Sequence, residues 1–180
     1  MWVSDMKENI MKEIRIEKVT LNMSAGDNAQ ILEKSQRIMQ TISGKKPVVT
    51  KTKKRTTFGM PKGKNIGCKI TLRGKEALEV LKNLLQSVDN IIRPSQFDRD
   101  GNFSFGIKEY INIPGIKYDP DVGILGLDVV VTLERRGYRV KKRAYRTGRV
   151  GKSHKIKPEE AMEFASKVLG ANVTEEKEED

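Results

Sequence analysis

Apolar and polar side chains alternate along four stretches of the chain, which is the period of a β-strand with one buried and one exposed face. The apolar positions of these stretches are Val19, Leu21 and Met23; Ile66, Cys68, Ile70 and Leu72; Phe103, Phe105 and Ile107; and Leu127, Val129, Val131 and Leu133. A β-branched run over residues 48–52, opened by Pro47, indicates another strand. The pattern therefore predicts five strands.

Helical spacing and helix boundary signals predict four helices between and around these strands. They cover residues 4–13 with Ser4 as N-cap, the segment from Asp27 as cap to Gly44, residues 77–88 before Pro94, and the segment from Pro158 to Gly170. Residues 138–145 are expected to extend the last strand or to pair with it.

These elements predict an α+β fold with a mainly antiparallel sheet, because several connections are too short for parallel crossovers. Helices are expected to pack on one face of the sheet and to leave the other face open. The alternation places six polar side chains on that open face: Lys18, Thr20, Asn22, Lys69, Thr71 and Arg73.

Positive charge is concentrated in residues 45–75 and 135–157, each with eleven Lys or Arg and no Asp or Glu. The remaining residues carry 24 acidic and 13 basic side chains. The formal net charge of +11 therefore arises from positive charge concentrated in these two segments, and not from a general excess of cations. Cations held together in a folded protein repel one another, and a polyanion that neutralises them relieves this repulsion. We therefore expect the open face to bind RNA.

A single RNA-binding domain is expected over residues 1–173, with a protruding basic loop at 50–65 and a basic C-terminal segment at 135–157. The acidic tail at 174–180 is expected to be disordered. The first residues lack the apolar segment of a signal peptide, and no stretch approaches the length of a membrane span. We expect a cytosolic protein without a membrane partner.

Catalytic chemistry has few candidate residues, because the chain contains one Cys and one His. Cys68 alternates inward with Ile66 and Ile70, which indicates a core residue and not a nucleophile. His154 lies in a basic run, where a packing or RNA-contact role is expected. These two residues cannot assemble a zinc site, and we expect no metal, no cofactor and no enzymatic activity.

Two other classes of function remain open. An RNA-modifying enzyme with a basic cleft would need a reactive carboxylate, and Asp128 could face the exposed side with Thr132, although pairing with a neighbouring Arg is the simpler role. A chromatin-type DNA-binding protein would need a recognition helix, whereas the cations here lie on strands and loops. Tyr138 and Tyr145 are equally compatible with base stacking and with core packing.

Four motifs follow one another between residues 14 and 133: KVTLNM from Lys18, ISGKKPV from Ile42, NIGCKITLRG from Asn65 and NFSFGIKE from Asn102. In this order they resemble the large-subunit ribosomal protein five family, which binds 5S ribosomal RNA. The RRGYRVKKR and GKSHKI segments that begin at Arg135 and Gly151 are similar to the archaeal and eukaryotic branch. The compact length and acidic tail favour an archaeal source.

The resemblance implies a structural constituent of the large subunit on cytoplasmic ribosomes. It implies an α+β fold whose open face binds 5S rRNA and attaches it to large-subunit rRNA in the central protuberance. The implied 5S contacts are Asn22, Lys45, Lys46, Thr71 and Arg73.

The family's extended loop approaches transfer RNA in the P site, and the implied contacts there are Arg55, Lys62 and Lys64. The basic C-terminal segment is assigned to other ribosomal RNA, through Arg135, Arg136, Arg139, Lys141, Lys142, Arg143, Arg146 and Arg149. The implied protein partners are neighbouring ribosomal proteins, including a small-subunit head protein across the intersubunit bridge.

Overall fold

The computed structural model describes residues 9–26, 28–55, 61–116 and 123–174. In chain order its strands are β1 (Ile14–Ser24), β2 (Val48–Lys51), β3 (Asn65–Leu72), β4 (Ile91–Ile92), β5 (Phe103–Ile107), β6 (Leu127–Arg135) and β7 (Asn172–Val173). Five of them form a sheet with the order β2-β3-β1-β6-β5, and every neighbouring pair in it is antiparallel. All five predicted strands, four from alternation and one from the β-branched run, are therefore confirmed. β4 and β7 form a separate parallel pair that was not predicted.

The α-helices are α1 (Ala29–Ser43), α2 (Lys75–Gln86), α3 (Arg139–Lys142) and α4 (Pro158–Phe164), and a π-helical turn (Ala165–Leu169) continues α4. Gly44 and Gly170 end α1 and the π-helical turn with φ values of 66° and 70°, as predicted, because glycine adopts left-handed backbone without a steric cost. The N-cap of α1 is Asn28, whose side chain accepts a hydrogen bond from the backbone N–H of Gln30 at 2.9 Å. The cap is therefore one residue later than the predicted Asp27, which itself lies outside the described residues.

Two other predicted segments differ from the structure. Residues 138–145 do not extend the sheet, because Gly137 turns the chain with a φ of 96° and α3 follows. The predicted first helix lies mostly outside the described residues, including Ser4, and its described end is a turn closed by a 2.7 Å bond from Lys12 N to Asn9 O. The acidic tail beyond Thr174 also lies outside the described residues.

Helices cover one face of the five-stranded sheet. α1 packs against β3 and β1, and α2 packs against β1. All the apolar positions of the four alternating strands are buried except Ile66, which is half-buried. At the centre of this layer, the sulfur atoms of Cys68 in β3 and Met39 in α1 are 3.6 Å apart. The predicted α+β fold is confirmed.

β1 changes its buried face at a β-bulge, where its pairing with β6 shifts between Ile16 and Lys18. Before the bulge Ile16 lies opposite the buried Leu133, and after it Val19 lies opposite the buried Val131. One extra residue, Glu17, therefore reverses the alternation of the strand. Glu17 therefore lies outside the regular alternation of either half of the strand, without a residue opposite it in β6.

Gly67→Ala should destabilise the fold by about 1–3 kcal/mol. A Cβ at Gly67 would lie 2.5 Å from the carbonyl oxygen of Met23 and 3.3 Å from Cα of Ser24, so the backbones of β1 and β3 must move apart. Equilibrium unfolding in urea measures the loss. Gly106→Ala is the matched strand control, because its Cβ would meet only a carboxylate oxygen of Asp128 at 3.9 Å. Equal stability of the two variants would contradict this account.

Candidate nucleic-acid interface

The polar positions of β1 and β3 form one surface on the side of the sheet opposite α1 and α2. Thr20 lies opposite Thr71, and Asn22 lies opposite Lys69. Residues directly opposite one another in an antiparallel pair share a face, so the register places these four side chains together. We call this surface, made of Lys18, Thr20, Asn22, Lys69, Thr71 and Arg73, the open face. It is the polar face that the alternation predicted.

A shallow depression of about 480 Å³ crosses the open face from β3 to β5. Among its lining residues are Asn22, Lys69, Ser104 and Asp128, which supply an amide, an ammonium group, a hydroxyl and a carboxylate. Asn22 Nδ2 donates a long hydrogen bond of 3.4 Å to Asp128 Oδ2. The prediction that Asp128 pairs with an Arg is therefore wrong, because its partner is the neutral amide across the strand pair.

An ion-pair network closes one end of the open face. Glu17, at the bulge, accepts from Lys142 Nζ at 2.6 Å and lies 3.5 Å from Arg73 Nη1. Glu134 accepts from Lys142 Nζ at 3.0 Å and from Arg15 Nη2 at 2.6 Å. Both carboxylates are largely buried, whereas 61% of the Arg73 side chain is exposed. Lys142 therefore ties α3 to the sheet, and Arg73 remains accessible beside it.

The pKa values of this network follow from its hydrogen bonds. Burial pushes the pKa of Glu134 upward, but hydrogen bonds from Lys142 and Arg15 outweigh it and hold that pKa below its ordinary value. Burial lowers the pKa of Lys142, and its bonds to Glu17 and Glu134 outweigh this and raise it. Because the pKa of Glu134 is depressed by folding, its contribution to stability is present above its unfolded pKa and is lost as the pH falls through its folded pKa.

The turn after α1 brings two further predicted cations next to the end of β3. Lys45 forms an ion pair with Glu76 in the first turn of α2, and Lys46 is exposed. β2 begins immediately afterwards, with Val48 opposite Lys69. The predicted 5S contacts Asn22, Lys45, Lys46, Thr71 and Arg73 are therefore brought together, along the open face and its edge.

The predicted basic loop is a hairpin between β2 and β3, and its base is fixed by Thr52. The backbone N–H of Thr52 donates to Lys64 O at 2.9 Å, and its hydroxyl donates to Pro61 O at 2.7 Å. Arg55 and Lys62 are exposed on the two arms, and Lys64 is half-buried at the base. Residues 56–60 of the loop lie outside the described part of the chain.

One arginine of the basic C-terminal segment, Arg135, is buried in an ion pair and is not exposed to solvent. Only 7% of the Arg135 side chain is exposed, its Nη2 lies 3.0 Å from Glu160 Oε1, and its Nη1 donates to Lys155 O at 3.3 Å. Arg135 therefore joins β6 to α4 and is not on the surface. The other predicted cations of this segment are exposed: Arg136, Arg139, Lys141, Lys142, Arg143, Arg146 and Arg149.

The two tyrosines of the segment take different roles. Tyr138 is 5% exposed, and its hydroxyl accepts from Ile156 N at 3.1 Å and donates to His154 O at 3.2 Å. Tyr145 is 75% exposed, and the guanidinium of Arg146 lies 5.2 Å from its ring centre. Core packing thus applies to Tyr138, whereas the Tyr145 ring is accessible for stacking. His154 packs edge-on against Tyr138, with ring centres 5.9 Å apart.

The carboxylates of the ion-pair network, Glu17 and Glu134, were not predicted from the sequence. Glu17 and Glu134 have the spacing of ordinary polar strand residues. A signal for the bulge was present, because the apolar positions of β1 are even-numbered at Ile14 and Ile16 and odd-numbered from Val19 onward. Such a change of parity within one strand indicates an inserted residue.

The described residues also bear on catalytic, metal-binding and membrane-spanning functions. Burial raises the pKa of the Cys68 thiol to about 11, which keeps it protonated and unreactive at neutral pH. In the described part of the chain, no three His, Cys, Asp or Glu side chains are grouped to hold a metal ion. No helix there is long and apolar enough to cross a membrane.

Two family models match successive parts of the chain. The model for "Ribosomal protein L5" matches residues 9–57, and the model for the C-terminus of the same ribosomal family matches residues 65–164. The chain belongs to the ribosomal protein L5 family. The resemblance that the four ordered motifs indicated is therefore confirmed.

Relatives in this L5 family align with nearly the whole chain. "Large ribosomal subunit protein uL5" of Nitrosopumilus maritimus is 43% identical over 172 residues, which are 95% of this chain and 99% of that protein. The protein of the same name from Nanoarchaeum equitans is 45% identical over 168 residues, 92% of this chain and 99% of its own length. These relatives confirm the archaeal type of the chain.

Arg135→Ala should destabilise the protein by about 2–4 kcal/mol, because it removes a buried side chain and leaves Glu160 without its ion-pair partner. The neighbouring Arg136→Ala should change stability by at most about 0.5 kcal/mol, because Arg136 is half exposed and lies 3.8 Å from Glu13. Thermal and urea unfolding of both variants measure the contrast.

This contrast should shrink in acid. Burial raises the pKa of Glu160, but hydrogen bonds from Lys157 N and the Arg135 side chain outweigh it and lower the pKa. Protonation of Glu160 below that lowered pKa removes the ionic part of the interaction. A loss of stability in Arg136→Ala as large as in Arg135→Ala would show that burial does not distinguish the two arginines.

Proposed function

We propose that this chain is a structural constituent of the large subunit of cytoplasmic ribosomes. In this proposal it binds 5S rRNA through the open face and attaches it to large-subunit rRNA in the central protuberance. The observation that carries the proposal is the register of β1 and β3, which brings cations, amide and hydroxyl groups together on one face of the sheet. Membership of the L5 family, and the identity of the relatives as large ribosomal subunit proteins, support the ribosomal assignment.

The chemistry of the open face suits a folded RNA strand. Lys69 and Arg73 can neutralise phosphates, whereas Thr71 and Asn22 can exchange hydrogen bonds with ribose hydroxyls and base edges. The carboxylate of Asp128 accepts hydrogen bonds only, so it suits a 2′-hydroxyl or a base amino group. The proposed 5S contacts are those implied by the family: Asn22, Lys45, Lys46, Thr71 and Arg73.

The two basic extensions are proposed to reach other parts of the ribosome. The hairpin loop, with Arg55, Lys62 and Lys64, extends toward P-site tRNA, and its base is held by the bonds of Thr52. The C-terminal segment contacts large-subunit rRNA through its exposed cations and the Tyr145 ring. Neighbouring ribosomal proteins, including a small-subunit head protein across the intersubunit bridge, complete the proposed set of partners.

The rival functions have weaker support in the geometry. An RNA-modifying enzyme would need a reactive group in the basic surface, and the carboxylate of Asp128 is exposed and contacts an amide, while Cys68 is buried in the core. A DNA-binding protein would present a basic helix, whereas α1 and α2 use their apolar sides to cover the sheet. The open face is the better candidate interface.

Arg73→Ala should weaken binding of 5S RNA by about 1–3 kcal/mol and leave the melting temperature nearly unchanged, because Arg73 is exposed and its pair with Glu17 is long. Filter binding at several salt concentrations measures the affinity, which should fall steeply with salt as counterions are released. Lys82→Ala is the matched control, because it removes an equal charge from the exposed side of α2. If both variants weakened RNA binding equally, the loss would reflect the net charge of the protein and not a contact made by Arg73.

The wild-type protein should also prefer 5S RNA over a DNA duplex of equal length at every salt concentration tested. Equal affinity for the two nucleic acids would contradict the 5S assignment, even if the protein binds both.

Arg55→Ala combined with Lys62→Ala should reduce retention of P-site tRNA on reconstituted ribosomes while leaving 5S binding within about twofold of wild type, because these side chains lie on the hairpin arms and not on the open face. Arg73→Ala should show the opposite pattern. A parallel loss of both activities in both variants would contradict the division of labour between loop and sheet.

A further inference from the structure

A cavity of about 510 Å³ lies at the edge of the sheet where β5 begins. β5 pairs with β6 only as far as Phe103 opposite Val131. Beyond that point the backbone N–H of Leu133 in β6 donates a hydrogen bond to Asn102 Oδ1 at 3.2 Å. A side-chain oxygen therefore accepts the bond that a backbone carbonyl of a neighbouring strand would otherwise accept. The cavity lies next to this end of β5 and is lined in part by residues of the basic C-terminal segment.

One part of the cavity lining, which we call the floor, is apolar. Leu133, Tyr138 and Val150 contribute to it, and Leu133 and Tyr138 are buried. The two hydrogen bonds of the Tyr138 hydroxyl, to Ile156 N and His154 O, fix its ring within the core. A flat apolar ligand group would therefore meet a preformed surface, which costs little reorganisation on binding.

The rim of the cavity is cationic. Lys141, Arg149, Lys152 and Lys155 line it together with one acid, Asp100. Lys155 Nζ donates a hydrogen bond to Asp100 Oδ1 at 2.9 Å, and this bond lowers the pKa of Asp100. The one carboxylate of the lining is therefore already in an ion pair with Lys155. Among the described residues, no carboxylate lies within 4 Å of the charged groups of Lys141, Arg149 or Lys152. The cavity lining therefore combines apolar side chains with three cations that have no ion-pair partner among the described residues, and one of these, Lys141, has its ammonium 4.7 Å from the centre of the Tyr138 ring.

We propose that this cavity holds one unpaired nucleotide of ribosomal RNA, with its phosphate on the cationic rim and its base against the apolar floor. The proposal rests on the proposed function, because it deepens the contact of the C-terminal segment with rRNA. The volume lies in the range of pockets that enclose a small ligand. A bare anion would use the cations and leave the floor unused, whereas a nucleotide uses both, and RNA-binding proteins commonly read unpaired bases in this way.

The first test titrates the full-length chain with uridine 5′-monophosphate, with uridine and with inorganic phosphate, followed by NMR chemical shifts. Uridine 5′-monophosphate should bind about tenfold more tightly than either half alone, because both halves of the cavity contribute. Shifts should occur at Leu133, Val150 and Lys152. Equal binding of phosphate and nucleotide would reduce the cavity to an anion site, and absence of binding would overturn the proposal.

Variants separate the cavity from the charge of the segment as a whole. Replacing Lys141, Arg149 and Lys152 together by Ala should weaken nucleotide binding by about tenfold or more. Replacing Arg139, Arg143 and Arg146 together by Ala removes the same charge from side chains that do not line the cavity, and should leave binding within about twofold. Val150→Phe keeps every charge but fills the floor, and should also abolish binding. Equal losses in both triple variants would overturn the proposal.

RNA competition distinguishes this proposal from the function on which it rests. A single-stranded oligouridylate should displace the nucleotide, and a polyglutamate peptide that displaced it more strongly would indicate an acidic protein ligand and overturn the proposal. If wild type binds large-subunit rRNA and the cavity triple variant binds it equally well, the cavity proposal fails alone. If wild type shows no affinity for ribosomal RNA, the proposed function fails with it.

Discussion

Successive side chains of a β-strand point to opposite faces, and in this protein the two faces have entirely different surroundings. α1 and α2 cover one face, so every second residue of the central strands is apolar and buried. On the other face, the residues between them in β1 and β3 carry hydroxyl, amide and ammonium groups at Thr20, Asn22, Lys69 and Thr71. The antiparallel register then brings the polar groups of β1 and β3 side by side. The core and the open face are thus two consequences of one alternation.

The same sheet shows how a strongly basic surface can be kept ordered before any RNA binds. The bulge in β1 places Glu17 where it can bind Lys142 and lie close to Arg73, while Glu134 binds Lys142 and Arg15. Two largely buried carboxylates therefore offset part of the repulsion among these cations. They also fix Lys142, and with it α3, against the edge of the sheet. A bound RNA would meet cations whose positions are already restricted, which lowers the entropy cost of contact.

Local periodicity was sufficient to predict the strands of the large sheet and the helix-covered core, because each depends on spacing within one short segment. The chain direction after Arg135 was not predictable in this way, since the turn at Gly137 and the short α3 have no apolar period. The pairing of β4 with β7 was missed for a related reason, because two-residue strands contain no alternation. Residue roles were hardest to assign where segments distant in sequence meet. The burial of Arg135 depends on Glu160 in α4. The partner of Asp128 depends on the register between β6 and β1.

The basic runs also illustrate why charge in a sequence overstates charge at an interface. Within residues 135–157, Arg135 is buried with Glu160, Lys142 is held by two carboxylates and Lys155 is held by Asp100. Each of these cations would have to break an internal ion pair before it could replace a phosphate counterion. Arg149 and Lys152 carry no such cost, because no carboxylate among the described residues pairs with them. The salt dependence of RNA binding should therefore reflect the exposed, unpaired cations and not the number of Lys and Arg in the run.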